Sequence, residues 1–263
     1  MDADFNRRFG GIARLYGAAA LARFQRARVC VVGIGGVGSW VAEALARSGI
    51  GAITLIDLDN IAESNTNRQI HALEASFGQA KVTAMAERIR GINPACELIE
   101  IEDFVTPENV ASMLDGNFDV VIDAIDQVKA KVAMIAWCRD NQRPIIVAGG
   151  AGGKVDPTKI EVGDLSRTVQ DPLLARVRSL LRKTHAFPRD PKKKFGVTAV
   201  FSSEPLRNLP NDVACAATPG ATPSPPKASS GLNCAGFGSS VCVTASVGLF
   251  AASAALRHLS EHP

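Results

Sequence analysis

The sequence predicts an α/β protein with a doubly wound, mostly parallel sheet and helices on both faces. Three observations predict it. Short apolar, β-branched runs alternate with amphipathic stretches from Arg28 to Ala148. The first two runs flank a glycine turn, Gly33-Ile34-Gly35-Gly36-Val37-Gly38. The second run closes on a carboxylate, Asp57, 19 residues after Gly38. Alternating strands and helices favour parallel pairing through right-handed crossovers. A strand, glycine turn, helix, strand and acid in that order form the unit that binds nucleotides.

Each element has its own signal. Residues 5–27 read as a surface helix, or as an arm that carries an arginine into a nucleotide site. Arg28 to Ile34 is the first buried strand. A helix runs from about Gly36 to Ser48, with Val37, Trp40, Val41, Ala44 and Leu45 at helical spacing, and Gly49 and Gly51 stop it. Ala52 to Ile56 is the second strand. A polar segment, Glu63 to Gln69, follows over the strand ends. The next helix, after Gly78-Gln79-Ala80-Lys81, runs through Met85, Ile89 and Ile92 and stops at Asn93-Pro94. Glu97 to Glu102 is the third strand. Thr106-Pro107 starts a helix, with Thr as N-cap and Pro at the first position. Asp119 to Asp123 is the fourth strand, residues 127–141 a helix, and Pro144 to Ala148 the fifth strand, running into Gly149-Gly150-Ala151-Gly152-Gly153.

After Gly153 the pattern changes. Lys159 to Val162 and Val197 to Ser202 read as strands without regular helices between them, extending a Rossmann-like core with antiparallel strands. Asn208 to Ser230 holds five prolines in 23 residues and reads as a mobile loop. Gly231 to Leu256 carries no charge over 26 residues. That length permits a membrane span, but Ala, Gly, Ser and Thr dominate it, which favours a buried helix against the core or a second subunit over one in lipid. The expected organisation is an arm at 1–27, a nucleotide-binding core at 28–165, a crossover with basic and Pro-rich loops at 166–230, and an apolar helix packed on the core at 231–263.

Composition narrows the setting. The chain has 263 residues, 46% hydrophobic, and a net charge of +3. Arg176 to Lys194 holds eight basic residues and one acid, Asp190, so the rest of the chain is net negative. That points to a polyanionic partner or a solvated face. The six cysteines form no C-x-x-C pair, which argues against a disulfide framework or a cysteine-only zinc site. The first residues lack an apolar signal-peptide core. A cytoplasmic setting follows, with membrane association through the C-terminal segment as the alternative.

The nucleotide is decided downstream of the glycine turn. A dinucleotide needs the turn and an acid for the ribose; a triphosphate with Mg²⁺ also needs several cations and a metal-holding carboxylate. Arg68 and Lys81 follow the second strand, and Asp123 and Asp126 follow the fourth. Asn65 can donate to a phosphate or position a carboxylate. All of these can converge on one crevice, which favours ATP–Mg²⁺.

Five segments carry a resemblance. Gly33 to Gly38, Leu55-Ile56-Asp57-Leu58-Asp59, Ser64-Asn65-Thr66-Asn67-Arg68-Gln69, Gly78-Gln79-Ala80-Lys81 and Asp123-Ala124-Ile125-Asp126 resemble the adenylating core of the ubiquitin-activating superfamily. The resemblance implies ATP binding, activation of a carboxylate by adenylation, and a homodimer. By position it assigns Asp57 to the ribose, Asn65, Arg68 and Lys81 to phosphates, and Asp126 to Mg²⁺. Asp59, Gln69, Asp123, Ala124 and Ile125 complete the implied nucleotide site beside Gly33, Gly35, Gly36 and Gly38. Arg8, or its neighbour Arg7, matches an arginine that reaches into the partner's ATP site. Two features of the superfamily are missing: paired C-x-x-C zinc motifs, and a cysteine nucleophile in the crossover near Arg167 to Pro172.

A closer resemblance covers nearly the whole chain. Arg7-Arg8-Phe9-Gly10-Gly11, Asp103 to Val110, Gln170-Asp171-Pro172-Leu173 and Cys234-Ala235-Gly236-Phe237-Gly238 are similar to the tRNA threonylcarbamoyladenosine dehydratases. This implies activation of a threonyl carboxylate on a modified adenosine of tRNA, followed by intramolecular ring closure with net loss of water. A nucleophile held beside the activated carbon needs no thioester cysteine. The basic stretch supports tRNA binding independently. Cys234 is the candidate catalytic or sulfur-accepting thiol, with a small buried thiol as the other reading; a sulfur-accepting role implies a sulfur-trafficking protein partner. Two competing functions stay open at this point: an adenylating enzyme for a ubiquitin-like sulfur carrier, and an NAD-binding oxidoreductase or sensor.

Overall fold

A computed structural model describes residues 3–207 and 238–261. Asn208 to Ser230, Cys215 and Cys234 lie outside the described residues.

Two helices open the chain, α1 (Ala3–Tyr16) and α2 (Ala18–Arg26). The core then alternates: β1 (Arg28–Val32), α3 (Gly38–Arg47), β2 (Ala52–Ile56), α4 (Lys81–Ile92), β3 (Glu97–Ile101), α5 (Val110–Leu114), β4 (Val120–Asp123), α6 (Val128–Asp140) and β5 (Ile145–Ala148). Beyond it come β6 (Ile160–Asp164), α7 (Pro172–Thr184), β7 (Thr198–Ser202) and α8 (Val241–Glu261). The seven strands form one sheet in the order β3-β2-β1-β4-β5-β7-β6. All neighbours pair in parallel except β6 and β7, which are antiparallel. The expected fold class holds.

β1, β2, β4 and β5 are buried almost throughout. One apolar cluster packs α3, α4 and α8 against one face of the sheet; a second packs α5, α6 and α7 against the other. This two-sided burial explains charge-free strands.

α7 corrects the expectation of no regular helix between β6 and β7. Asp171 caps it, accepting the Leu174 N–H at 2.9 Å, and Pro172 opens it. Leu173, Leu174, Val177 and Leu181 are its buried stripe. α5 begins three residues later than Thr106-Pro107 suggests. Thr106 and Asn109 bond each other's backbone N–H groups, and Asn109 is the N-cap.

α8 is, among the described residues, the helix long and apolar enough to cross a membrane. Its small residues have a packing reason. A Cβ on Gly248 would lie 2.5 Å from the Val37 carbonyl oxygen and 2.9 Å from the Trp40 Cβ. Val243, Val247, Ala251, Ala252 and Ala255 are buried beside it. The helix therefore packs closely on α3, as its composition predicts.

Candidate active site

The sheet's strand order reverses at β1, whose neighbours β2 and β4 lead to opposite edges. A crevice of about 370 Å³ opens there at the carboxyl ends of the strands.

Its floor is the glycine turn. Gly33 has φ of 87°, and a Cβ on it would lie 2.7 Å from the Ile125 Cγ2. A Cβ on Gly38 would meet the Gly33 carbonyl oxygen at 1.8 Å. Those two glycines let the turn close against the β4 end, while Gly35 and Gly36 line the crevice itself. The Ser39 and Trp40 N–H groups fold back onto the Gly35 and Val37 carbonyls, each at 3.1 Å, which sets the positive dipole end of α3 at the same place. A phosphate fits that end.

The β2 side carries Asp57, Asp59 and Lys81. Asp57 accepts the Ile34 N–H at 2.6 Å and the Asp59 N–H at 2.9 Å. Lys81, buried at the start of α4, donates to Asp59 at 2.6 Å and lies 3.8 Å from Asp57. Burial pushes the Asp57 carboxyl above its usual range, and the Lys81 charge and the two backbone N–H groups pull it back.

Asn65, Arg68 and Gln69 stand opposite. Asn65 Oδ1 accepts the Ala62 N–H at 3.0 Å. The Arg68 guanidinium donates to the Ser64 carbonyl and to Asn67 Oδ1, each at 2.9 Å. Its stem lies over Gly36, where a Cβ would meet Arg68 Cγ at 3.0 Å. No carboxylate pairs with Arg68 among the described residues, and burial lowers its proton affinity. Gln69 Oε1 is buried without a hydrogen-bond partner. The crevice thus holds one cation without a counter-charge and one orphaned acceptor. Beside Arg68 it suits a polar, anionic group, while Asp57, Asp59, Asp103 and Asp126 line the rest.

At the end of β4, Ala124, Ile125 and Asp126 form the remaining side. Asp126 is half-buried. Asp123 does not line the crevice. It is fully buried, paired with Lys131 at 2.8 Å, and accepts the Ile125 N–H at 3.2 Å. The structure gives it the loop to hold, in place of a ligand contact.

Arg8 also stands away from its own crevice. It donates to the Ile92 carbonyl at 2.9 Å, at the far end of α4 from Lys81. That helix spans 12 residues, about 18 Å at 1.5 Å per residue.

Sequence reasoning did not place several crevice residues. Gly149, Gly150, Ala151 and Gly152 line it, as do Gln127, Ser239 and Thr244. The glycine run at a strand's carboxyl end was the available signal for the first group. The Gly150 N–H donates to Asp171 at 2.9 Å, which ties that wall to the cap of α7. Asp103, Phe104 and Val105 form part of the rim.

The ThiF family profile matches residues 7–263. The chain belongs to the ThiF family. A tRNA threonylcarbamoyladenosine dehydratase of Escherichia coli strain K12 is 52% identical over 257 residues, covering 97% of this chain and 94% of the relative. One of Haemophilus influenzae is 49% identical over the same shares of both chains. The crystal structure of E. coli tRNA N6-threonylcarbamoyladenosine dehydratase in complex with ATP superposes with a TM-score of 0.86, at 48% identity, covering 98% of this chain and 96% of that one. This ThiF-family chain therefore shares its fold with a protein crystallised with ATP.

Proposed function

We propose that the protein is an ATP-dependent tRNA threonylcarbamoyladenosine dehydratase. The observation that carries this reading is the kinship along 97% of the chain with an enzyme of that name. The crevice gives it chemical support: a glycine cradle, an uncompensated arginine and a buried lysine converge at one sheet edge.

A carboxylate is a poor electrophile because its leaving group would be oxide. In the reaction, a carboxylate oxygen of the threonyl group attacks the α-phosphorus of ATP, the bond to the β-phosphate oxygen breaks, and pyrophosphate leaves. The product is a mixed anhydride. The ureido group of the same nucleoside then attacks the acyl carbon and expels the phosphate ester, closing a ring. The proton released on ring closure passes to solvent. Both reacting groups sit on one nucleoside, so proximity replaces a covalent enzyme intermediate.

The chain's residues act on charge. Arg68, Lys81 and the α3 N-terminus stabilise the negative charge that builds on phosphate oxygens. Asp57 holds the ribose, and Asn65 and Gln69 orient the phosphate chain. Asp126 would hold Mg²⁺, which neutralises phosphate charge when bound. Among the described residues no three His, Cys, Asp or Glu side chains cluster as a metal cage. A single carboxylate suits Mg²⁺, which takes one or two carboxylates and completes its shell with phosphates and water. The working form is a homodimer in the cytoplasm, with Arg8 offered to the partner's site and Cys234 as the thiol for a sulfur-trafficking protein.

Incubating the protein with ATP and tRNA bearing threonylcarbamoyladenosine tests the reading. Mass spectrometry of the digested nucleosides should show that nucleoside lighter by one water, with ATP consumed in step. An unchanged nucleoside would overturn it.

A further inference from the structure

The basic stretch is not evenly spread over the surface. Arg178, Ser179, Arg182 and Lys183 lie on one face of α7, and with Ala175 and Arg189 they line an open groove of about 400 Å³. Two of its arginines are held in place. Arg178 donates through Nη1 to the Thr168 hydroxyl. Arg182 donates through Nε to the Pro188 carbonyl at 3.2 Å, and its guanidinium lies 5.1 Å from the Phe195 ring centroid. Both keep their remaining N–H donors without a protein acceptor among the described residues. No carboxylate lines the groove. Asp190, the acid of the stretch, accepts its own loop's Lys192 N–H at 2.9 Å.

This arrangement works against the fold. Like charges four residues apart on a helix destabilise it by a few tenths of a kcal/mol. Complementing the helix dipole explains Arg182 and Lys183 in the last turn, but neither Arg178 nor Arg189. The groove also lacks the aromatic and large apolar side chains that centre a protein–protein interface. Guanidinium forks fixed in place, with free donors and no acid, suit phosphodiester oxygens.

We propose that this α7 groove docks the phosphate backbone of tRNA, with Arg178, Arg182 and Arg189 on its phosphates. The proposal rests on the function above and names the surface where that substrate is held.

The test measures binding of fluorescein-labelled tRNA to the full chain across a salt series. Arg189→Gln removes an exposed charge. Ser179→Glu places a negative charge in the groove without removing any contact the fold uses. Each should weaken binding several-fold and raise the KM for tRNA, leaving the KM for ATP in place. Arg189→Gln should also flatten the slope of log K against log salt by about 1. Arg90→Gln, beside the edge strand β3, serves as the comparison, since Arg90 pairs with Glu100 at 2.7 Å. Wild-type affinity and slope in both groove variants would overturn the proposal, as would an equal loss in Arg90→Gln. Those outcomes stand apart from the reaction itself: a wild-type protein that never dehydrates the nucleoside overturns the function whatever the groove does.

Discussion

Lys81 Nζ lies 2.6 Å from an Asp59 carboxylate oxygen and 3.8 Å from one of Asp57. A lysine at the first position of a helix opposes the helix dipole, so two acids are needed to hold it there. The pair keeps a buried cation aimed at the crevice. Lys81→Ala should lower kcat/KM by about 10²–10³-fold, the size of losing one preorganised charge on a developing oxyanion. Arg68→Ala should do the same. Asp57 keeps the N–H groups of Ile34 and Asp59, so the fold should survive. Steady-state kinetics beside a thermal melt separates the effects, and wild-type turnover in either variant would refute the phosphate role.

Two glycines of the same turn should fail differently. Gly38→Ala sets a Cβ on the Gly33 carbonyl, backbone against backbone, and should cost several kcal/mol or prevent folding. Gly36→Ala touches only the flexible stem of Arg68. It should leave the melting temperature nearly unchanged and raise the KM for ATP, because the guanidinium shifts. Equal melting losses in both would contradict this division of labour.

Asp171 joins α7 to the crevice wall through Leu174 and Gly150. Asp171→Ala should cost about 0.5–2 kcal/mol as a lost N-cap, read by urea denaturation. It should also raise the KM for ATP, since the Gly150 N–H loses its acceptor. Asp171→Asn keeps one oxygen, enough for the Leu174 N–H but not for the Gly150 N–H that the second carboxylate oxygen accepts, so it should restore the stability while the KM for ATP stays raised. A drop in stability with no change in KM would confine Asp171 to capping.

The sequence read well where burial and periodicity coincide. β1 to β5, the glycine turn and the acid at Asp57 follow from strand composition and spacing. α7 was hidden because its apolar stripe of four residues is interleaved with arginines and lysines. Even so, Asp171-Pro172 carries the usual cap and first-turn signal. Asp123 was misleading for another reason. It stands at a strand end like a ligand, and only the fold shows Lys131 coming back from α6 to meet it. The Gly149 to Gly152 wall depends on β5 lying beside β4, a three-dimensional fact the spacing alone does not express.

The Asp123–Lys131 pair makes a prediction of its own. Both side chains are fully buried. Lys131→Met leaves a carboxylate without its cation and should destabilise the protein by about 3–5 kcal/mol. Asp123→Asn combined with Lys131→Met removes both charges and should recover much of that loss in chemical denaturation. A double variant as unstable as the single would show that the cost lies in packing.

His71 makes stability fall in acid. It is 3% exposed, and neither ring nitrogen has a hydrogen-bond partner among the described residues. Burial, with the Lys81 and Arg88 charges nearby, lowers its pKa from 6.5 to about 4. The folded state therefore holds the neutral ring, while the unfolded chain takes up a proton near pH 6.5. Stability from this source is complete above pH 6.5 and falls as the pH drops toward 4, by up to about 3 kcal/mol. His71→Leu should flatten the slope of unfolding free energy against pH across that window, whatever its offset at pH 7. Because the slope counts protons taken up on unfolding, an unchanged slope in the variant would place the acid sensitivity on other groups.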